Sequence, residues 1–148
     1  LPVVIAEGDG AWVTDVDGNR YLDMLLGYGP VILGHAHPEV DRAACARQQA
    51  GFCLNLPQPE IVALAERLVE LVPSAQQCLF FTTGSDATSA AVRLARTHTQ
   101  RELVLRCGYH GWHDWCLAGD PGVPAAVTGS VLDFEYNAPD QVRGAVAR

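Results

Sequence analysis

The stretch from Cys78 to Cys107 constrains the fold most. Residues 78–83, Cys-Leu-Phe-Phe-Thr-Thr, form a short apolar run with strand character. Gly84-Ser85-Asp86 then reads as a turn, residues 87–96 as an Ala-rich helix, and residues 102–107 as a second apolar strand. Strand, helix and strand in such close succession predict a βαβ crossover. That connection makes the strands parallel, and parallel strands lie in sheets covered by helices. Residues 130–136 read as a further strand and 139–148 as a further helix. The expected class is α/β.

The first half carries other signals. Residues 11–15 and 20–24 predict a hairpin around Asp17-Gly18-Asn19, which suits a tight turn. Residues 27–38 are punctuated by Gly, Pro and His and read as loop, and 39–49 as helix. Pro57-Gln58-Pro59 opens an amphipathic helix in which Ile61, Leu64, Ala65, Leu68, Leu71 and Val72 share one face, and Pro73 stops it.

Composition narrows the function classes. With 148 residues, 49% of them hydrophobic and 18% charged, the chain suits one compact domain with a core. A net charge of -7 argues against a nucleic-acid surface and against a polybasic membrane patch. No apolar run approaches a membrane span, and the first residues lack the basic region of a signal peptide. The five cysteines are odd in number and form no C-x-x-C pair. A disulfide framework and a zinc ribbon are therefore not expected, and a reducing cytoplasm is. All ten basic residues are Arg, and there is no Lys. Chemistry that needs a Lys amine cannot be completed by these residues alone. The missing initiator Met, and a helical run that reaches Arg148, lead us to expect a portion of a longer protein.

Three segments carry candidate chemistry. In Thr82-Thr83-Gly84-Ser85-Asp86-Ala87-Thr88 a strand gives way to a helix. Free N–H groups and the positive end of the helix dipole make an anion site there, with Thr83 and Ser85 hydroxyls at hand. Plain capping by Ser85 and Asp86 explains the same residues, and local sequence leaves both readings open. Gly108-Tyr109-His110-Gly111-Trp112-His113-Asp114-Trp115 follows a strand end and offers aromatics to stack on a planar ring. A loop pinned by packed Trp side chains is the alternative. A metal on His110, His113 and Asp114 lacks enough ligands. Gly34-His35-Ala36-His37-Pro38 reads as a structural turn with hydrogen-bonded His. Tyr28, between two glycines, suits a pocket wall or ordinary packing. No nucleophile elbow is present.

Taken in order, the segment 27–38, the helix 60–71, the turn Gly84-Ser85-Asp86-Ala87-Thr88 and Tyr109-His110-Gly111 resemble class III pyridoxal-phosphate aminotransferases, in particular the glutamate-1-semialdehyde aminomutase-like group. The hairpin 15–23 and Tyr136-Asn137 are similar to that family too, so the resemblance covers essentially the whole chain. It implies a partial fold-type I, aspartate aminotransferase-like architecture. Residues 1–55 would be the N-terminal segment and 56–148 the first part of the large, parallel-sheet cofactor domain. It implies pyridoxal 5'-phosphate as cofactor, bound through its phosphate at Gly84 and Ser85, stacked on Tyr109, with His110 supporting that loop. Tyr28 would face the substrate. A small-molecule amino donor and a carbonyl acceptor would exchange an amino group at a homodimer interface. Two departures are mild: Asp86 stands where Glu is usual, and Tyr28 where Trp is common. The family's Schiff-base Lys and the Asp opposite the pyridine nitrogen have no counterpart here, so the chain alone is expected to be inactive. A non-catalytic phosphate- or partner-binding α/β module is the competing expectation.

Overall fold

The computed structural model describes residues 2–117 and 119–146. The chain forms two compact units that meet in sequence between Glu66 and Arg67.

The first unit opens with an antiparallel sheet of β1 (Ile5–Asp9), β2 (Trp12–Asp15) and β3 (Arg20–Leu22), in that order. The predicted hairpin is present as β2 and β3, each shorter than expected. β1 had no sequence signal: Ile-Ala-Glu-Gly-Asp lacks both alternation and a β-branched run. It forms by pairing with β2, with a register shift between Ile5 and Glu7. The hairpin is organised by the carboxylate of Asp15, which is only 7% exposed. It accepts the N–H of Asp17 (3.0 Å) and of Asn19 (2.8 Å), the Asn19 amide (2.9 Å) and the Tyr21 hydroxyl (2.8 Å). These donors, led by the Asn19 side chain, hold the Asp15 carboxyl below the usual carboxylate range. The guanidinium of Arg20 sits 4.9 Å from the Trp12 ring centre, across the strand pair.

The His-rich turn is hydrogen-bonded as expected at His35, but His37 Nδ1 is buried without a hydrogen-bond partner among the described residues. His35 exchanges backbone hydrogen bonds with Gly10 at 2.8 and 3.0 Å. Its Nε2 lies 2.7 Å from Asp23 Oδ2. Gly34 has a φ of +86°, and a Cβ there would lie 2.9 Å from the Gly10 carbonyl oxygen, so only Gly permits this approach. Asp23 also caps the next turn by accepting the N–H groups of Leu25 and Leu26. The His35 contact first, and these amides next, hold its carboxyl below the ordinary value. A depressed folded-state pKa stabilises the fold above the ordinary carboxylate pKa, about 4, and that stabilisation is lost as pH falls through the folded value. The Asp23 carboxyl resonance followed by NMR through an acid titration is therefore expected to move at a midpoint below the ordinary one. An ordinary midpoint would contradict this pairing.

Two helices follow. α1 (Pro38–Gln49) begins with Pro at its first position and Glu39 and Asp41 in its first turn, which suits the helix dipole. α2 (Pro59–Leu71) is the expected amphipathic helix and crosses from the first unit into the second.

In the second unit α3 (Gly84–Thr99) precedes a parallel pair, β4 (Val104–Arg106) and β5 (Val131–Asp133). The parallel sheet expected from sequence is present, but its partners differ. Among the described residues no strand covers 78–83, so the parallel partner of β4 is β5. An apolar run supplies only the potential for a strand; a ladder needs a neighbour with free backbone groups. The last turns of α3 bind both strand entries: Arg96 donates to the Glu102 carbonyl (2.8 Å) and to the Ser130 hydroxyl (2.9 Å). At the other end of the pair, Arg106 grips Asp133 with two bonds of 2.6 and 2.8 Å, which holds the guanidinium firmly charged. The connection from β4 to β5 includes a short 3-10 turn, Asp114–Cys116, and the one-turn α4 (Ala125–Thr128). α5 (Pro139–Val146) ends the described chain; the remainder of the helix expected over 139–148 lies outside the described residues. Among the described residues, the buried apolar side chains are Cys116 and Val131, each still 7% exposed. None of the described helices is long and apolar enough to cross a membrane.

Candidate functional site

The turn expected at Gly84-Ser85-Asp86 is already helix. α3 starts at Gly84, and Thr83 is its N-cap, with extended φ and ψ. The Thr83 hydroxyl oxygen accepts the N–H of Asp86 (3.2 Å), and its O–H donates to Asp86 Oδ2 (2.7 Å). This is half of a capping box: the Thr83 side chain caps the Asp86 amide, while the Asp86 carboxylate takes the Thr83 hydroxyl rather than its backbone N–H. Capping is thus done by Thr83 and Asp86, not by Ser85 and Asp86. Ser85 is free for other work.

Among the described residues the N–H groups of Gly84 and Ser85 have no acceptor. The Cβ position of Gly84 is open, with nothing within 4 Å of it, while Gly111 packs against Ser85. Two unpartnered amides at the positive end of a 16-residue helix match the donor set that a phosphate requires.

The loop Gly108–Trp112 docks beside these amides. Ser85 Oγ accepts the N–H of Trp112 at 3.2 Å. The Thr88 hydroxyl, one turn along α3, donates to the His110 carbonyl oxygen at 2.9 Å. Gly111 lies under Ser85 with a φ of +115°; a Cβ there would come within 2.7 Å of Ser85 Oγ. Only Gly allows both that backbone and that approach.

The geometry therefore brings four of the sequence candidates together: Gly84 and Ser85 on α3, Tyr109 and His110 on the docked loop. The Tyr109 ring is exposed and His110 half-buried. The part of His110 that holds the loop is its main-chain carbonyl. Tyr28 belongs to the first unit, where it ends a one-turn 3-10 helix (Leu26–Tyr28) with a φ of +63° and an exposed ring. The residue that sequence reasoning gave no role to is Ser89, which lies 2.7 Å from His113 Nδ1 and accepts the indole N–H of Trp115, a Trp already offered as a stacking or loop-pinning aromatic. The available signal was spacing: Ser85, Thr88 and Ser89 are the polar positions of one face in an Ala-rich helix.

This chain belongs to the class-III aminotransferases, whose family model matches residues 1–130. It is 40% identical over 143 residues to 3-aminobutyryl-CoA aminotransferase of Cloacimonas acidaminovorans, an alignment covering 96% of this chain and 34% of the relative. It is 41% identical over 151 residues to glutamate-1-semialdehyde 2,1-aminomutase of Chloroflexus aurantiacus, covering 93% of this chain and 34% of that one. A solved structure described as a transaminase with PLP bound matches with a TM-score of 0.91 at 30% identity, over 99% of this chain and 38% of its own. The chain thus spans about a third of the length of the relatives it matches. Its α/β fold, with a parallel sheet, is a partial fold-type I architecture.

Proposed function

We propose that this chain forms the phosphate- and ring-binding part of a pyridoxal 5'-phosphate site. The protein it serves moves an amino group between a small-molecule amino donor and a carbonyl acceptor, or between adjacent carbons of one molecule. The observation that carries this reading is the pair of unpartnered amides at Gly84 and Ser85, beside the docked Tyr109 loop and with the Gly84 Cβ position open. Family membership supports it. Residues 1–55 serve as the N-terminal segment and 56–148 as the first part of the large cofactor domain.

When bound, pyridoxal 5'-phosphate supplies the aldehyde that carries the amino group and a ring that withdraws electrons. The residues of this chain bind and orient. The Gly84 and Ser85 amides hold the phosphate, and the α3 dipole favours its charge. The Ser85 hydroxyl accepts from Trp112, which leaves its own proton to donate to a phosphate oxygen. Tyr109 offers its ring to the pyridine face, His110 fixes that loop through its carbonyl, and Tyr28 borders the substrate. Asp86 is an acidic neighbour of this anion site, and its carboxylate is occupied by the Thr83 hydroxyl.

No Lys occurs in the 148 residues, so no side-chain amine is present to bond the aldehyde, and the chain by itself does not transaminate. The active protein is a homodimer of the cytoplasm, without nucleic-acid or membrane partners. The five cysteines, none of them in a disulfide, suit a reducing compartment.

The test is a titration of the chain with pyridoxal 5'-phosphate, followed by borohydride reduction. Saturable binding that inorganic phosphate competes away is expected, with no stable pyridoxyl adduct on any internal residue. Absence of saturable binding would overturn the assignment. An internal adduct would overturn the claim of inactivity.

A further inference from the structure

α3 holds the loop that follows β4 at two levels, one helical turn apart. At the first, Ser85 and Thr88 take the Trp112 amide and the His110 carbonyl. At the second, Ser89 Oγ lies 2.7 Å from His113 Nδ1 and accepts the Trp115 indole N–H at 2.8 Å. The other ring nitrogen of His113 lies 3.6 Å from Asp86 Oδ1. Asp86 in turn is fixed by the N-cap: its Oδ2 accepts the Thr83 hydroxyl at 2.7 Å. A chain of contacts therefore runs from the helix cap through Asp86, His113 and Ser89 to Trp115, hydrogen-bonded except at the 3.6 Å step from Asp86 to His113, which is beyond hydrogen-bond distance. It joins the first turn of α3, where the free amides are, to the base of the loop that carries Tyr109.

Carboxylate, imidazole and hydroxyl in this order are also the order of a nucleophile relay. Here the Ser89 oxygen receives the indole N–H of Trp115, which occupies a lone pair that a nucleophile would use. Ser89 also lies within a helix rather than on a strand-to-helix elbow. The arrangement anchors.

What it anchors needs anchoring. Gly108 and Gly111 have φ values of +79° and +115°, so the loop between them owes its shape to contacts rather than to backbone preference. Its far side is already fixed: the His113 carbonyl accepts the Cys116 N–H at 2.8 Å, and Cys116 is buried. The His113 ring then fixes that base to α3.

We propose that Ser89, His113 and Asp86 are positioning residues. They hold the Tyr109 loop at one place on α3, so that the phosphate amides and the stacking ring face the same ligand. This rests on the cofactor reading above. It predicts a split: losing the ring contact harms a ligand that needs both ends of the site and spares one that needs only the amides.

The variants are His113→Ala, Ser89→Ala and His113→Asn, whose amide falls near the place of Nδ1. The measurements are hydrogen exchange at the Trp112 amide, and affinities for pyridoxal 5'-phosphate and for inorganic phosphate. His113→Ala and Ser89→Ala are expected to speed Trp112 exchange about tenfold and to weaken pyridoxal 5'-phosphate by about the same factor, the worth of one such hydrogen bond. Amides in the interior of α3 and the affinity for inorganic phosphate stay at wild-type values, and His113→Asn restores most of both losses. Unchanged Trp112 exchange would overturn the proposal. So would faster exchange throughout α3, or equal weakening of both ligands, since either describes a general structural role. If the wild-type chain binds neither ligand, the cofactor reading fails, and the exchange comparison alone decides whether these residues hold the loop.

Discussion

Produced alone, the 148-residue chain is expected to self-associate in a concentration-dependent way. The apolar face of α2 is open: Ile61, Leu64 and Leu71 are all exposed, and no residue of that helix is buried. In the second unit Leu79 is 77% and Leu94 71% exposed. β4 and β5 form a two-stranded sheet, so each strand keeps an outer edge without a ladder partner among the described residues. Open edges and apolar patches are the two surfaces on which chains pair. The magnitudes decide how strongly. A patch of roughly 500 Å² at about 25 cal/mol per Å² gives about 12 kcal/mol of gross burial. Association costs about 4–15 kcal/mol, so the two nearly balance, and the assembly should respond to dilution. Light scattering across a concentration series is expected to show mass rising with concentration. Leu79→Glu and Leu94→Glu should shift it toward monomer. A concentration-independent monomer with a sharp, cooperative melt would contradict this and favour a self-contained module.

The sequence showed well what is local and poorly what depends on a distant partner. The Ala-rich run 87–96 has helix-compatible spacing, so the body of α3 could be read directly, whereas its first turn, Gly84-Ser85-Asp86, read as a turn outside the helix. The exact cap could not be read, because Thr83, Ser85 and Asp86 are all good capping residues and only geometry shows which hydroxyl turns back onto the helix. Residues 78–83 misled because β-branched and aromatic content reports burial and pleat preference, not the presence of a neighbouring strand. β1 was silent for the opposite reason: its residues are poor strand formers, and β2 supplies the ladder. Within the candidate site, Gly84, Ser85, Tyr109 and His110 were legible as ordered motifs. Ser89 was not, because its partners His113 and Trp115 lie more than twenty residues away in sequence. Gly111 could be noticed as a glycine, but its need to pass Ser85 is a property of the packed loop.

Gly84→Ala and Ser85→Ala are expected to lower pyridoxal 5'-phosphate affinity by about ten- to a hundredfold, the worth of a hydrogen bond to a charged acceptor. They do so by different routes. A methyl at Gly84 enters space that is open in the unliganded protein, and on the proposed reading it would crowd a phosphate held by the neighbouring amides. Ser85→Ala removes a donor to the phosphate and also the acceptor of the Trp112 amide, so it lowers apo stability slightly as well. Gly84→Ala carries no such side effect. The unliganded protein meets the added methyl with nothing within 4 Å, and Ala is a better helix former than Gly. Its apo thermal stability should therefore equal or exceed that of wild type.

The most direct measurement is the pyridoxal 5'-phosphate dissociation constant of Gly84→Ala beside wild type, by equilibrium dialysis with apo melting recorded on the same samples. Affinity reduced at least about tenfold, with apo melting unchanged or raised, is the expected result. Wild-type affinity in Gly84→Ala would contradict the phosphate cradle and leave Gly84 as an ordinary first residue of α3.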